Sequence, residues 1–314
     1  MTVRIYWELD PAAEPRRAEP VLRARWSPHL SDPRGLASKR QAYYAQIARA
    51  AAMSAFDGLY IRYRPESDDS QILAATLALH VPDLTLIPEF PASVGSAVYA
   101  AKEAVSFQRS TRGRLGWAIA PDRSITERAA EGDYVAEDDL LARLDEFLTV
   151  ARGVHGQTGF TFKGRFFEVQ NGGFAPPLDR EAFPPVILQG TSEDTLALSA
   201  RLGDIHSFEP AAPAAFQHLA DQQRRRAAEH GREQAFAVRL DVTSRDTPQE
   251  ATQAGAKGLA GSHEQVADTL ADYVAAGAAH LILSGSPSLE EAYRIGAHVL
   301  PRLRARLGGD RAAA

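Results

Sequence analysis

The sequence predicts an α/β chain that closes into a (β/α)₈ TIM barrel, and three observations lead to this prediction. Short apolar or alternating runs recur along the chain, and a helical pattern follows each of them. That order is typical of parallel strands joined by crossover helices. Eight such units can be counted in the 314 residues, and eight units close a barrel of about this length.

The predicted strands are short runs with an apolar face. The first sets Val3, Ile5, Trp7 and Leu9 against Arg4, Tyr6 and Glu8, a period-two alternation. In chain order the predicted strands span 3–9, 57–63, 84–90, 115–120, 185–188, 204–208, 236–242 and 281–284. The helical patterns between and after them include 38–54, 72–79, 97–107, 140–151, 196–200, a charged helix ending near 230–231, 266–274 and 289–303.

One stretch departs from this alternation of strands and helices. Residues 159–169 alternate aromatic and polar side chains around Lys163-Gly164, a pattern typical of a β-hairpin. It is predicted as a small hairpin insertion between units four and five. Nothing marks a domain boundary, so residues 1–307 are expected to form one domain. The tail 308–314 is expected to be disordered.

Composition restricts the class of protein. A chain that is 45% hydrophobic and 24% charged is typical of a globular protein with a buried core. The formal charge of −5 argues against nucleic-acid and membrane-surface partners. The absence of cysteine excludes a disulfide scaffold, a thiolate metal site and a cysteine nucleophile, and no metal site is predicted. Since the sequence shows neither a signal-peptide pattern nor an apolar span, a cytoplasmic location is expected.

The active site of a barrel lies at the carboxyl ends of its strands. These ends carry Glu8, Asp10, 62–69, Glu89, 189–192, 206–209, Arg239, Asp241 and 284–288. Among them, Gly190, Thr191 and Ser192 open a predicted helix. A glycine lets a phosphate approach the backbone, and hydroxyls and a helix N-terminus can donate hydrogen bonds to it. In the alternative interpretation, Thr191 or Ser192 only caps the helix.

Three ionisable residues are candidates for the chemistry. Arg239 lies mid-strand among apolar neighbours, so it needs an anionic ligand or an ion-pair partner such as Glu89 or Asp241. Asp241 is a candidate proton acceptor. His206, at the end of the sixth strand, is the histidine predicted at the barrel mouth and could act as the acid–base group. A hydrogen-bonded structural histidine is the alternative.

The most specific motif is HLILSGSPSLEEAYRIGAHVL, in which Ser284-Gly285 ends a strand, Pro287 follows and Leu-Glu-Glu-Ala-Tyr-Arg opens the last helix. Upstream lie FTFKGRFFEV, then PPVILQGTSEDTLALSARLGD and RRRAAEHGREQAFAVRLDVTSRDT. Together these segments resemble the alkanesulfonate monooxygenase group of the luciferase-like flavin monooxygenase superfamily. The resemblance is specific in the C-terminal half, whereas the N-terminal half agrees mainly in spacing.

This resemblance implies a two-component monooxygenase. Reduced FMN would come from a separate flavin reductase, and O₂ would oxygenate a small organic substrate through a flavin peroxide. The family places the FMN phosphate at the positions of Gly190, Thr191 and Ser192, and an arginine points into the site at the position of Arg239. A homodimer, or a heterodimer with a related barrel, is expected by analogy.

Several positions depart from the family pattern. The family's cysteine after the second strand is Ser67, which is kept as a cofactor-site candidate. Where the family has a tryptophan after the sixth strand, this chain has Glu209. The family's tyrosine after the final Ser-Gly is replaced by Ser286, and its histidine on the seventh strand is replaced by Asp241. These departures argue against an alkanesulfonate, and Arg64, Glu209 and Ser286 are the candidates to contact another substrate.

The family's long lid after the seventh strand is nearly absent, because Thr247 leads directly to Gly258. A lid excludes water from the site, so its loss predicts a more open site, a larger substrate or a covering partner. Two other functions stay open. One is a non-catalytic or weakly flavin-binding partner subunit, and the other is a deazaflavin-dependent oxidoreductase on the same barrel.

Overall fold

The structure is a computed structural model, and it describes residues 3–14, 40–93, 95–120, 124–255 and 258–308. The predicted start of the first helix, 38–39, and tail residues 309–314 lie outside these ranges. Within them are eleven strands. These are β1 Arg4–Leu9, β2 Gly58–Ile61, β3 Thr85–Phe90, β4 Trp117–Ile119, β5 Phe160–Lys163, β6 Glu168–Gly172, β7 Val186–Gln189, β8 Ile205–Phe208, β9 Ala235–Arg245, β10 Leu259–Ser262 and β11 His280–Ser284.

Eight of the strands close into a parallel barrel, as predicted. Around the ring they run β1-β2-β3-β4-β7-β8-β9-β11, and β11 pairs with β1 to close it. The helices pack outside this ring. They are α1 Arg40–Met53, α2 Ser70–Leu77, α3 Ala97–Thr111, α4 Ile125–Ala130, α5 Leu140–Gly156, α6 Glu193–Leu202, α7 Pro213–Glu229, α8 Pro248–Gln253, α9 His263–Ala275, α10 Ser288–Arg294 and α11 Leu300–Arg306. Within the described ranges, none of the helices has the length and apolarity that crossing a membrane requires.

Strand alternation divides the apolar core into two layers. Residues such as Trp7 and Leu59 face outward and pack with the helices. Tyr6, Tyr60 and Ile187 belong to a separate cluster that fills the barrel interior. Because side chains two residues apart share a face, the residues that follow this inner cluster by two positions point into the carboxyl-end mouth.

The segment between α5 and β7 forms a two-stranded antiparallel hairpin of β5 and β6. Its aromatic side chains pack against the outside of the barrel. Gly153 of α5 permits this packing, because a Cβ there would lie 2.2 Å from the ring of Phe160.

Two features were not predicted. Strand β9 runs to Arg245, beyond the ring, and its extension pairs with the short strand β10. This pairing and helix α8 occupy the place of a long lid. The last predicted helix is also interrupted by a π-helical turn at Ile295–Val299. Pro301, two residues after this turn, lacks the N–H that a regular helix would use.

Candidate active site

A layer of polar side chains lies in the barrel mouth, above the inner apolar cluster. Glu8, Arg62, Glu89, Gln189 and Arg239 each follow an inward-facing residue by two positions. They come from five strands or strand ends, so ring closure brings together residues far apart in sequence. All five were among the predicted strand-end candidates, although only Arg239 was predicted to take part in the chemistry.

Glu89 is the hub of this layer and is 1% exposed. Its Oε1 accepts hydrogen bonds from the hydroxyl of Tyr60 at 2.9 Å and Nε2 of Gln189 at 2.8 Å. Its Oε2 accepts from Nε of Arg62 at 3.1 Å and the backbone N–H of Tyr63 at 3.0 Å. Both oxygens are therefore fully engaged, and the role of Glu89 is to hold its neighbours in place.

Glu8 is buried as well, but its carboxylate is poorly satisfied. Its Oε1 lies 3.6 Å from Nη1 of Arg62, and its Oε2 lies 3.6 Å from Nε of Arg239. Both contacts are ion pairs too long to count as hydrogen bonds. Oε2 finds no hydrogen-bond partner within the described part of the chain. Burial raises the pKa of the Glu8 carboxyl, and the two guanidiniums offset only part of that rise.

Arg239 pairs with Glu8, a partner that the sequence analysis did not consider. In the sheet register Arg239 lies beside Ile282, which lies beside Tyr6. The arginine therefore starts one layer below Glu8 and reaches it across β11. Its side chain is 24% exposed, so the guanidinium is open to the mouth. Arg239 therefore points into the barrel mouth and takes part in an ion pair, whose partner is Glu8 instead of Glu89 or Asp241.

The corner formed by Gly190, Thr191 and Ser192 lies at the N-terminus of α6. The hydroxyl of Ser192 accepts a hydrogen bond from the N–H of Thr195 at 3.2 Å, so the predicted cap is present. Gly190 has φ +132°, and a Cβ there would lie 2.7 Å from Cγ2 of Thr195. Both hydroxyl residues are exposed, and the first helical N–H groups lack intrahelical acceptors.

The features of this corner fit the phosphate end of FMN. Glycine keeps the approach open, and the helix end offers N–H donors and a positive dipole. Glu193 and Asp194 in the first turn oppose an anion, but Glu193 is paired with Arg226 at 2.7 Å. Gln189, directly before the corner, donates to Glu89 and so joins the corner to the polar layer.

His206 does not lie in the mouth, which corrects the prediction. On β8 it is Ser207 that shares the inner face, whereas His206 points outward and is fully buried. Its Nδ1 lies 2.8 Å from the Ser199 hydroxyl on α6, and its ring packs on Phe208. Burial lowers the pKa of His206 to about 4. The alternative of a hydrogen-bonded structural histidine describes this position.

The predicted loop candidates have different surroundings. Nε of Arg64 donates to both carboxylate oxygens of Asp10, at 3.0 and 3.1 Å. Burial alone would raise the pKa of the Asp10 carboxyl, but the hydrogen bonds outweigh this effect and lower the pKa. Arg64 is therefore engaged in an ion pair.

The other candidates do not gather at one point. The hydroxyl of Ser67 is buried beside the phenol of Tyr44. Glu209 and Ser286 are exposed on the loops after β8 and β11. Asp241 is half-buried on β9, two residues beyond Arg239 on the same face.

Tyr60 belongs to the inner cluster beneath the polar layer, and its contact with that layer is one that sequence reasoning missed. It lies mid-strand, where an aromatic side chain is usually core, and it is 1% exposed. Its hydroxyl nevertheless binds Glu89. The available signal was its alternation with Arg62, which places both on the inner face of β2.

Comparison with known proteins agrees with this architecture. The family model of the luciferase-like monooxygenases matches residues 24–259. EDTA monooxygenase from Chelativorans sp. BNC1 superposes with a TM-score of 0.78 at 17% identity, over 99% of this chain and 96% of its own. Long-chain alkane monooxygenase gives 0.80 at 16%, over 100% and 93%. The coenzyme F420-dependent tetrahydromethanopterin reductase of Methanopyrus kandleri gives 0.74 at 13%, over 96% and 100%. On the match to the family model, this chain belongs to the luciferase-like monooxygenases.

Proposed function

We propose that the protein is a two-component monooxygenase that uses reduced FMN from a separate flavin reductase, and O₂, to oxygenate a small organic substrate. The observation that carries the proposal is the exposed corner at Gly190, Thr191 and Ser192, which is joined through Gln189 to the polar layer of the mouth. The corner suits the phosphate, and the layer supplies fixed charged groups beside it. FMN, when bound, supplies the activation of O₂.

The protein's own residues would bind and orient. The helix N-terminus would hold the phosphate, with Ser192 fixed by its cap and Thr191 free to donate. Arg239 would place its exposed guanidinium against the substrate. Glu89 would keep Arg62 and Gln189 in position, because each donates a hydrogen bond to its carboxylate, and Tyr60 donates another to the same carboxylate.

The short connection after β9 bears on the kind of substrate. Helix α8 and strand β10 fill the span in which the family that this chain resembles has a long lid. A site without that lid admits a bulkier substrate but needs another means of excluding water. We therefore propose a more open mouth than in the alkanesulfonate group.

A groove on the surface supports a proposal about the oligomeric state. A groove of about 780 Å³ lies between α2 and α3, outside the barrel. Ile72, Leu79 and Tyr99 in its lining are 65%, 85% and 62% exposed. An exposed apolar groove of this kind favours a homodimer, or a heterodimer with a related barrel, through these helices. A cytoplasmic location beside the flavin reductase belongs to the same proposal.

A deazaflavin-dependent oxidoreductase is the second candidate. Structural neighbours with the same barrel include the F420-dependent reductase above and an F420-dependent secondary alcohol dehydrogenase, with TM-scores of 0.74 and 0.73. Anaerobic titrations with reduced FMN and with reduced F420 separate the two. We expect saturable FMN binding and at least tenfold weaker binding of F420. The reverse order would favour hydride transfer, and binding of neither would favour a non-catalytic partner subunit.

A further inference from the structure

Glu8 and Arg239 present an unsatisfied acceptor and unsatisfied donors side by side. Oε2 of Glu8 is buried and accepts no hydrogen bond from the described residues. Arg239, whose nearest carboxylate oxygen is that atom at 3.6 Å, likewise donates no hydrogen bond within the described part of the chain. A guanidinium carries five N–H donors in one plane. Leaving the buried Oε2 of Glu8 unpaired is costly, and the partly exposed donors of Arg239 lie beside it, so the pair is placed to receive a ligand.

The charge of the layer restricts that ligand. The carboxylates of Glu8 and Glu89 offset the guanidiniums of Arg62 and Arg239, so these four groups carry no net charge. An anionic group placed against Arg239 would lie close to the Glu8 carboxylate and be repelled by it. A neutral group with a donor beside an acceptor matches both partners.

We propose that Glu8 and Arg239 bind a neutral substrate group that carries an N–H next to a C=O, as in a carboxamide, a lactam or a ureide. The carbonyl oxygen accepts from the guanidinium of Arg239, and the N–H donates to Oε2 of Glu8. This rests on the proposed monooxygenase function and names its substrate class. It also accounts for the loss of the family's sulfonate-facing residues.

Three probes of matched shape test the proposal by ligand-observed NMR titration of the full chain, with and without FMN. Benzamide carries both groups, N,N-dimethylbenzamide lacks the N–H, and benzenesulfonate is an anion. We expect benzamide to bind at least about tenfold more tightly than either of the others, since a hydrogen bond to a charged group is worth that much. Equal binding of the two amides, tighter binding of the sulfonate, or no binding of benzamide would overturn the proposal.

Two variants at Glu8 sharpen the result. Glu8→Leu removes the acceptor and uncovers the charge of Arg239, so benzamide binding should fall about tenfold and benzenesulfonate binding should appear. Glu8→Gln removes only the charge, so it should also bind benzenesulfonate. This variant provides the test if Glu8→Leu does not fold. The matched control is Glu233→Leu, at an exposed position before β9, which should change neither affinity. An unchanged probe preference in both Glu8 variants would contradict the proposal.

FMN titration of the same samples separates this inference from the function on which it rests. If wild-type protein binds no FMN, the monooxygenase proposal fails, whatever the probes do. If Glu8→Leu lowers FMN affinity as much as benzamide affinity, the pair holds the cofactor's own amide edge instead of a substrate. That outcome would overturn the inference and leave the proposed function intact.

Discussion

Glu8 on β1 and Arg239 on β9 approach each other across the intervening strand β11, with 3.6 Å between Oε2 and Nε. The distance is short enough for strong attraction and too long for a hydrogen bond. The pair therefore fixes the position of a guanidinium without using up its donors. A side chain held in this way suits contact with a ligand better than a purely structural role.

Arg239→Ala should abolish turnover and leave the fold intact. The side chain is partly exposed, its one ion pair is long, and Glu8 keeps Arg62 as a partner, so removing Arg239 should lower the free energy of unfolding by no more than about 2 kcal/mol. Loss of a positioned charge at the reacting centre should lower activity by roughly 100-fold or more. Coupled O₂ consumption with reduced FMN and urea unfolding measure the two effects. Activity within a few-fold of wild type would remove Arg239 from the mechanism.

Ser192→Ala should weaken FMN binding as well as stability. Removing the cap of α6 costs about 1 kcal/mol of unfolding free energy, and it also takes a hydroxyl from the phosphate corner. Ser262→Ala is the matched control, since Ser262 caps α9 in the same way at the end of β10, which lies outside the closed ring. Both variants should melt lower, but only Ser192→Ala should lose FMN affinity. Equal FMN affinity in the two variants would argue against phosphate binding at Gly190, Thr191 and Ser192.

Glu89→Ala should be severely destabilising. The carboxylate accepts hydrogen bonds from Tyr60, Arg62, Tyr63 and Gln189, and its loss leaves a buried guanidinium poorly compensated. Such a loss costs roughly 3–5 kcal/mol. By contrast, Glu168→Ala breaks only an exposed ion pair with Lys163 at 3.9 Å and should cost less than about 1 kcal/mol. Urea denaturation compares the two variants. Similar unfolding midpoints would contradict the role of Glu89 in holding its neighbours in place.

His206 should make stability depend on pH. Its folded pKa, about 4, lies below its unfolded value near 6.5. The neutral ring therefore stabilises the fold fully above pH 6.5, and that contribution is lost as the pH falls toward 4. The loss amounts to about 3 kcal/mol. His206→Asn should lack this component, so the difference in unfolding free energy between wild type and variant should shrink between pH 7 and 4. A difference that stays constant with pH would contradict a buried neutral His206.

The closed ring followed from the sequence because eight strand–helix units recur with the right order. The extension of β9 did not, since its partner β10 is a four-residue strand, Leu-Ala-Gly-Ser, with no alternating pattern. The π-helical turn at Ile295–Val299 also carries no periodic signal of its own. Local patterns predict elements, whereas short pairings of this kind depend on neighbours distant in the chain.

The site could be predicted only as a set of strand ends. Reading them gave Glu8, Arg62, Glu89, Gln189 and Arg239, all of which line the mouth. The predicted orientation of the His206 side chain was wrong. Strand β8 is only four residues long, Ile-His-Ser-Phe, and such a short run does not fix which residues face inward. The Glu8–Arg239 pair was beyond sequence reasoning, because it forms only when the last strand closes the ring onto the first.

A crystal structure of the protein with bound FMN would show directly where the cofactor lies. We expect the phosphate at hydrogen-bonding distance from Thr191, Ser192 and the first N–H groups of α6, with the ring system in the mouth above the Glu8–Arg239 pair. Flavin bound instead in the groove between α2 and α3, or a phosphate away from α6, would contradict it.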